Sequence, residues 1–534
     1  MLASKMYITT IRKNALPAFQ ICNISAVFRR TQTTHSTSLE VSEAFHDTAK
    51  AKVDSTELRA FEDIPGPERS LKSFVEFYRK SEGLVKGHKV NQAFFARYGP
   101  IFKETFTGQT QVHIIDPDDF EKVFRAEGKY PRRTKIDVWT EHRKRRNYFL
   151  GIVQLDGEEW HRIRRSISPK LMRPKTVEEN LDHFNAVADD AIRRFVKVRE
   201  ACGPDDHIHN LEGELTRFTL ESVGTIAFDT RLGLYRDQPP PEALKFIQAV
   251  HDFFLLSQKL LLSIPSNLVR PYMDTPAVKK LFKVADDILD IGEGFIHKKM
   301  KELKELANSG DKSSGKVVSL LAYLLGKEEL TLEEVNGVAI DIVTGGVDTT
   351  SNSLLWMLYH LGRLPHIQEK LSQEIDMVVG KDENITADNL AKLSYLKACL
   401  KESMRVTPTV TLNSRILEQD VVLSGYHVPA QSHIILNPYC MGVSEKYFKD
   451  SSEFKPERWL RENRGEQHAF SYLPFGHGVR MCVGRRIAEI EIYILICKLL
   501  QKYRIEYIGE PLEILQQLVS VPDKPVKVKF VDRV

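Results

Sequence analysis

Phe475-Gly476-His477-Gly478-Val479-Arg480-Met481-Cys482-Val483-Gly484 is the tightest constraint in this sequence. One cysteine, Cys482, lies in a loop punctuated by glycines, with Arg480 two residues before it and a helix-like run from Arg485 to Lys502 just after. Glycine takes positive φ without penalty and lets the backbone come close to a bulky flat ligand, which is the reading for Gly476, Gly478 and Gly484. A thiolate at a helix N-terminus and beside Arg480 is stabilised as the anion a metal ion needs. Alone, these residues would also suit a buried, inert cysteine in a turn.

Bulk properties narrow the setting. The 534 residues are 42% hydrophobic and 28% charged, enough to bury a sizeable core. A net charge of +4 is small for this length and gives no case for nucleic acid, so any basic surface must be local. Cysteines 22, 202, 399, 440, 482 and 497 lie far apart without CxxC spacing, which argues against a disulfide framework or a zinc site and suits a reducing compartment. Residues 1–39 hold no Asp or Glu but carry Lys5, Arg12, Lys13, Arg29 and Arg30 among many Ser and Thr. That is the composition of a transit peptide, predicted over 1–40, followed by a polar linker over 41–62. No stretch reaches the ~18 apolar residues of a membrane-spanning helix.

Ile64-Pro65-Gly66-Pro67 punctuates the entry to the folded body. Strand-like runs cover Ile101 to Phe106 and Gln111 to Ile115, with a turn at 107–109. Helical spacing runs from Leu181 to about Glu200, from Leu211 to about Ala227, and from Ala243 to Leu262. Asn308 to Gly315 reads as a polar loop, and strand signals recur after Pro408. The expectation is one mainly α domain over 63–534 with a small β subdomain.

Three further motifs gather around the loop. Thr331 and Glu334 form a capping box, so a helix starts there and runs some thirty residues, roughly 45 Å, to Pro365. At its centre Gly345-Gly346-Val347-Asp348-Thr349-Thr350 is a poor helix former, which predicts either local opening or close approach of another helix. Glu402 and Arg405 share a helix face, an ion pair of about 0.2–0.5 kcal/mol in isolation, and Phe454-Lys455-Pro456-Glu457-Arg458-Trp459 follows some fifty residues on. Trp160 and Arg164 also share a face, an indole N–H and a guanidinium suited to a carboxylate.

The order Trp160…Arg164, Gly345–Thr350, Glu402…Arg405…Arg458, Phe475–Gly484 resembles the cytochrome P-450 family over nearly the whole chain. The resemblance implies haem b with the Cys482 thiolate as axial metal ligand. It implies that Trp160, Arg164, Arg415, Phe475 and Arg480 bind the cofactor, the arginines at its propionates. Asp348 and Thr349 would organise proton delivery to bound dioxygen, so that two electrons and two protons split O2 and a C–H bond is hydroxylated. Glu402, Arg405 and Arg458 would form a structural triad that locks the region before the cysteine loop.

Within that family the basic set Lys397, Lys401, Arg485 and Arg486 is similar to that of mitochondrial members, which take electrons from an acidic [2Fe–2S] ferredoxin fed by a flavoprotein reductase. Tyr395 to Arg405 resembles vitamin D and sterol side-chain hydroxylases, implying a steroid, sterol, secosteroid or other lipophilic substrate. Substrate contacts are then expected near Tyr130 to Gly151, Phe246 to Leu262, Val343 to Val347 and Val410 to Asn413. The apolar 246–262 stretch either packs in the core or rests on a membrane, and the expected location is the matrix side of the mitochondrial inner membrane. Arg143-Lys144-Arg145-Arg146 reads as a solvated surface loop, and His477 has no derivable role. An O2-independent isomerase or a haem sensor are the competing readings; the intact Asp348-Thr349 pair disfavours both.

Overall fold

A computed structural model describes residues 58–106, 109–202, 207–261, 273–309, 319–463, 465 and 467–533. The predicted transit peptide, residues 41–57 of the linker, the 107–108 turn and residues 310–315 of the polar loop lie outside them. Ten helices position the site: α1 Asp137–Arg145, α2 Gly157–Leu171, α3 Leu181–Ala201, α4 Leu211–Phe228, α5 Pro241–Leu261, α6 Pro276–Ser309, α7 Leu332–Arg363, α8 Pro365–Val378, α9 Ser394–Val406 and α10 Arg485–Lys502. A small sheet joins β1 Ile101–Phe106, β2 Gln109–Ile114, β3 Asn413–Ile416 and β4 His433–Leu436. Its order is β1-β2-β4-β3, antiparallel except for the β2–β4 pair. This is the expected mainly α fold with a small β portion.

The long helix forms where the capping box places it: Thr331 accepts from Glu334 N, and the Glu334 carboxylate accepts from Thr331 N. Nearly every α7 residue from Val347 to Leu361 is buried, as in a helix wrapped by others. One large hydrophobic cluster surrounds it, with Trp356, Leu354, Phe218, Phe246 and Leu495 fully enclosed. A smaller one, around Phe102, Val112, Phe120 and Ile434, lies under the sheet. The β portion thus has a core of its own.

Three expectations need correction. The folded body reaches back into the predicted linker: Arg59 N donates to Gly425 O (3.1 Å), His427 N to Arg59 O (2.9 Å), and the Arg59 guanidinium lies 3.6 Å from the Tyr426 ring centroid. The basic run 143–146 is no solvated loop but the end of α1. Arg143 pairs with Asp341 of α7 (2.6 Å), Arg145 with Asp274 (2.5 Å), and Arg146 with Asp286 (2.8 Å) and Asp290 of α6. Finally, α7 is continuous through Gly345 and Gly346. The Thr349 hydroxyl donates back to Gly345 O (2.8 Å), satisfying inside the helix a carbonyl that an opening would expose.

Candidate active site

The cysteine loop is built as its glycines require. Gly476 and Gly478 take φ +70° and +73°, and Cys482 N donates to Phe475 O (2.8 Å), closing the turn. Gly484 departs from expectation: its φ is −84°, ordinary for any residue, and it caps α10. A Cβ there would make only ordinary contact, 4.0 Å from Cys482 Sγ, so neither its φ nor its space requires glycine.

Cys482 keeps exposed surface although protein surrounds it, as a residue lining a cleft does. Burial raises its thiol, and the backbone N–H of Gly484, Arg164, Arg133 and the backbone N–H of Arg485 act in the opposite direction. Two of these are amides at the start of α10, a helix N-terminus aimed at an anion. The neighbouring cations are Arg164 and Arg133, not Arg480 as the sequence suggests. Arg480 turns away, donating to Pro131 O (2.8 Å), Leu155 O (2.7 Å) and Asp156 Oδ1 (2.5 Å). Its guanidinium lies 3.9 Å from the centroid of the buried Trp160 ring. Arg164, one helical turn on from Trp160, donates to Met481 O (2.8 Å), beside the cysteine.

Arg133, Arg164, Arg415 and Arg480 therefore gather in one region, with Arg164 and Arg415 within electrostatic reach of both Arg133 and Arg480. Burial pushes Arg480 down to about 9, and Arg133 and Arg164 down to about 10. Facing them are Asp156, which also takes Lys135 from the solvent edge (3.1 Å), and Glu127, paired with Arg415 (2.6 Å). Cations outnumber carboxylates, and Arg480 Nη1 is buried without a hydrogen-bond partner among the described residues. An arginine-rich wall short of anions, beside an accessible cysteine at a helix N-terminus, fits haem b: a flat macrocycle with two carboxylates and an axial position for sulfur.

Sequence reasoning missed Arg133, Glu127 and Asp156. Arg133 reaches the pocket because its neighbour Arg132 bridges to β3, where Ile416 N donates to Arg132 O (3.0 Å). That pairing joins segments nearly three hundred residues apart and leaves only a proline and two arginines as a local signal.

The centre of α7 carries Gly345-Gly346-Val347-Asp348-Thr349-Thr350. Only the close-approach expectation is met: a Cβ on Gly346 would press on Val223 of α4 at 3.1 Å, whereas Gly345 is exposed and meets nothing within 4 Å in a helix that stays continuous. Asp348 is buried, and burial pushes its carboxyl up to about 6, with His251 of α5 lowering it and Glu212 of α4 raising it.

Behind the loop, Glu402 is fully buried and saturated. Arg405 Nε and Nη2 donate to its two oxygens (2.9 and 2.8 Å), joined by Arg458 Nε (3.0 Å), Trp459 Nε1 (2.8 Å) and Lys455 N (2.8 Å). Arg405 spends its remaining donors on Gly442 O, Ser451 O and Glu453 O. The basic set gathers around Glu489, which pairs with Arg485 (2.9 Å) and Arg486 (3.4 Å) and acts electrostatically on Lys397. Lys397 is half-buried and lowered by that burial, while Lys401, one turn on, lies 5.8 Å from the Trp459 ring centroid.

The sequence profile described as Cytochrome P450 matches residues 66–530. The chain belongs to the cytochrome P450 family. It is a haem-thiolate monooxygenase. The mitochondrial sterol 26-hydroxylase of Rattus norvegicus is 33% identical over 488 residues, covering 90% of each chain. The mitochondrial 1,25-dihydroxyvitamin D(3) 24-hydroxylase of the same species is 32% identical, over 89% of this chain and 90% of the relative. Cytochrome P450 10 of Lymnaea stagnalis is 32% identical, over 90% of this chain and 87% of its own. Among the described residues no helix is long and apolar enough to cross a membrane.

Proposed function

We propose that this P450 is a mitochondrial, matrix-side hydroxylase of a sterol or secosteroid, supplied with electrons by an acidic [2Fe–2S] ferredoxin and its flavoprotein reductase. The observation that carries the reading is the pocket itself: an accessible cysteine at a helix N-terminus beside four arginines short of anions. The substrate class rests on mitochondrial relatives named for sterol and vitamin D hydroxylation.

Bound haem b supplies reductive activation of dioxygen and transfer of one oxygen atom into a C–H bond. Arg133, Arg164, Arg415 and Arg480 receive its carboxylates, and Trp160 holds Arg480 in place by stacking. The Thr349 hydroxyl, which donates to Gly345 O, would serve as a proton donor to dioxygen once released from that carbonyl. Asp348, half-protonated near pH 6, exchanges protons with groups toward α4 and α5 and reloads that hydroxyl. Glu402, Arg405 and Arg458 hold the chain behind the loop. Lys397, Lys401, Arg485 and Arg486 receive the ferredoxin, giving salt-sensitive encounter.

The test is the absorption spectrum of the dithionite-reduced protein with carbon monoxide, followed by turnover of sterol and secosteroid substrates with ferredoxin and reductase. A Soret band moved far to the red is expected for the wild type and lost in Cys482→Ser. A histidine-type band from intact protein overturns the ligand and the mechanism with it.

A further inference from the structure

Glu127 follows the helix Pro117–Ala126, where no sequence pattern singles it out, yet its carboxylate lies inside the arginine pocket with a side chain 5% exposed. Its Oε2 accepts from Arg415 Nε at 2.6 Å. Its Oε1 lies so near the cysteine loop that a Cβ on Gly478 would run into it, and Gly478 takes φ +73°. The same helix supplies Phe124, whose ring is 4.9 Å from the Arg415 guanidinium and 5.3 Å from the His477 ring. Arg415 adds bonds from Nη1 to Asn413 Oδ1 (3.0 Å) and Ser414 O (2.8 Å), and from Nη2 to His477 O (3.4 Å). One acidic side chain thus joins a helix, β3 and the cysteine loop. Burial raises its carboxyl, and Arg415 is the foremost influence in the other direction, followed by His477 and Arg480.

We propose that Glu127 is a positioning residue for the haem: it fixes the Arg415 guanidinium against the cysteine loop and, as a buried anion beside the cofactor's carboxylates, holds the reduction potential of the iron down. The proposal rests on the haem-thiolate reading. A negative charge in a low-dielectric pocket disfavours addition of an electron nearby, and the effect is far larger there than in water. His477 thereby gains a place, as the residue whose carbonyl and ring close the Glu127–Arg415 corner.

The experiment is a reductive titration of the full chain loaded with haem, as wild type, Glu127→Gln and Glu127→Asp. The carbon monoxide spectrum is recorded for each. Gln keeps the shape and removes the charge; Asp keeps the charge and shortens the reach. The expected result is an unchanged thiolate Soret band in all three, a midpoint potential shifted to more positive values in Glu127→Gln, and a value near wild type in Glu127→Asp. Haem incorporation by Glu127→Asp but not by Glu127→Gln also supports the proposal, since the shorter Asp keeps the charge that the isosteric Gln lacks. Equal potentials in wild type and Glu127→Gln overturn it, as do equal shifts or equal loss of haem in both variants, which would mark a packing role. A wild type without a thiolate band overturns the haem-thiolate reading itself and the proposal with it.

Discussion

Two buried charged clusters flank the cysteine loop, and they are built on opposite plans. Around Glu402 every charge is spent: two arginines, an indole and a backbone N–H fill its lone pairs, and Arg405 gives its other donors to three carbonyls. Around Arg480 the cations exceed the carboxylates and one guanidinium nitrogen has no partner. A saturated cluster has nothing left to offer a ligand and belongs to the scaffold. An unsaturated one carries a standing electrostatic cost that only an incoming anion relieves. Both contain arginines at sequence positions of equal prominence; their satisfaction separates them.

The largest expected effect breaks the first cluster. Glu402→Ala strands Arg405 at zero exposure of its side chain and should cost about 3–5 kcal/mol, read as a fall in thermal stability of the haem-free chain. An unchanged unfolding midpoint would show that the cluster is not the scaffold element described here.

Glu491 of α10 tests what a buried carboxylate does with neither arrangement. It is buried, its Oε1 has no hydrogen-bond partner among the described residues, and burial pushes it up to about 8, with Ser222 opposing. A raised carboxyl binds its proton more tightly in the folded state, so its contribution is full below the ordinary value of 4.5 and lost as pH rises through about 8. Glu491→Gln should flatten the fall of stability across that window by a few kcal/mol, at about 1.4 kcal/mol per pH unit as an upper bound. Parallel wild-type and mutant curves would refute it. Asp348, pushed up to about 6, acts with the same sign between 3.8 and 6.

Arg133 sharpens the comparison. Among the described residues the one protein bond from its guanidinium is to Val153 O at 3.4 Å, so Arg133→Ala should change the stability of the haem-free chain by only about 0.5 kcal/mol. Haem should nevertheless dissociate about tenfold faster, the effect of ~1.4 kcal/mol of lost carboxylate pairing. Transfer of haem to an apo-globin measures the second quantity and a melting curve the first. If both move together, the pocket is scaffold after all.

The smallest effect lies on the surface. Arg486 is half-buried and shares Glu489 with Arg485. Arg486→Gln should leave stability within about 0.5 kcal/mol and slow ferredoxin-supported reduction several-fold at low salt, with the difference fading as ionic strength rises. A salt-independent defect would argue against docking there.

How far the sequence could be read depended on distance along the chain. Cys482, Gly476 and Gly478, the Thr331–Glu334 cap and the Trp160–Arg164 face are local patterns, and each element formed as the pattern demands, Gly484 excepted. Glu127, Asp156 and Arg133 are single polar residues whose partners lie far away, so nothing local marks them. The 143–146 run failed for the same reason: apart from Glu141, one turn before Arg145, its carboxylates Asp274, Asp286, Asp290 and Asp341 sit on other parts of the chain, and charge with distant partners reads as solvated. The α7 glycines were legible as anomalies, but only the positions of Val223 and of the Thr349 hydroxyl show what each permits.

The bonds from Arg164 to Met481 O and from Arg480 to Leu155 O and Pro131 O join residues separated by 317, 325 and 349 positions. Contacts of such sequence separation demand costly loop closure before they return any stabilisation, so they form late on a folding path. The cysteine that receives the iron is therefore braced only after the two ends of the molecule have met. Cofactor capture is then a checkpoint on completed folding, and a chain halted part-way would present its thiol without the cations that retain the haem.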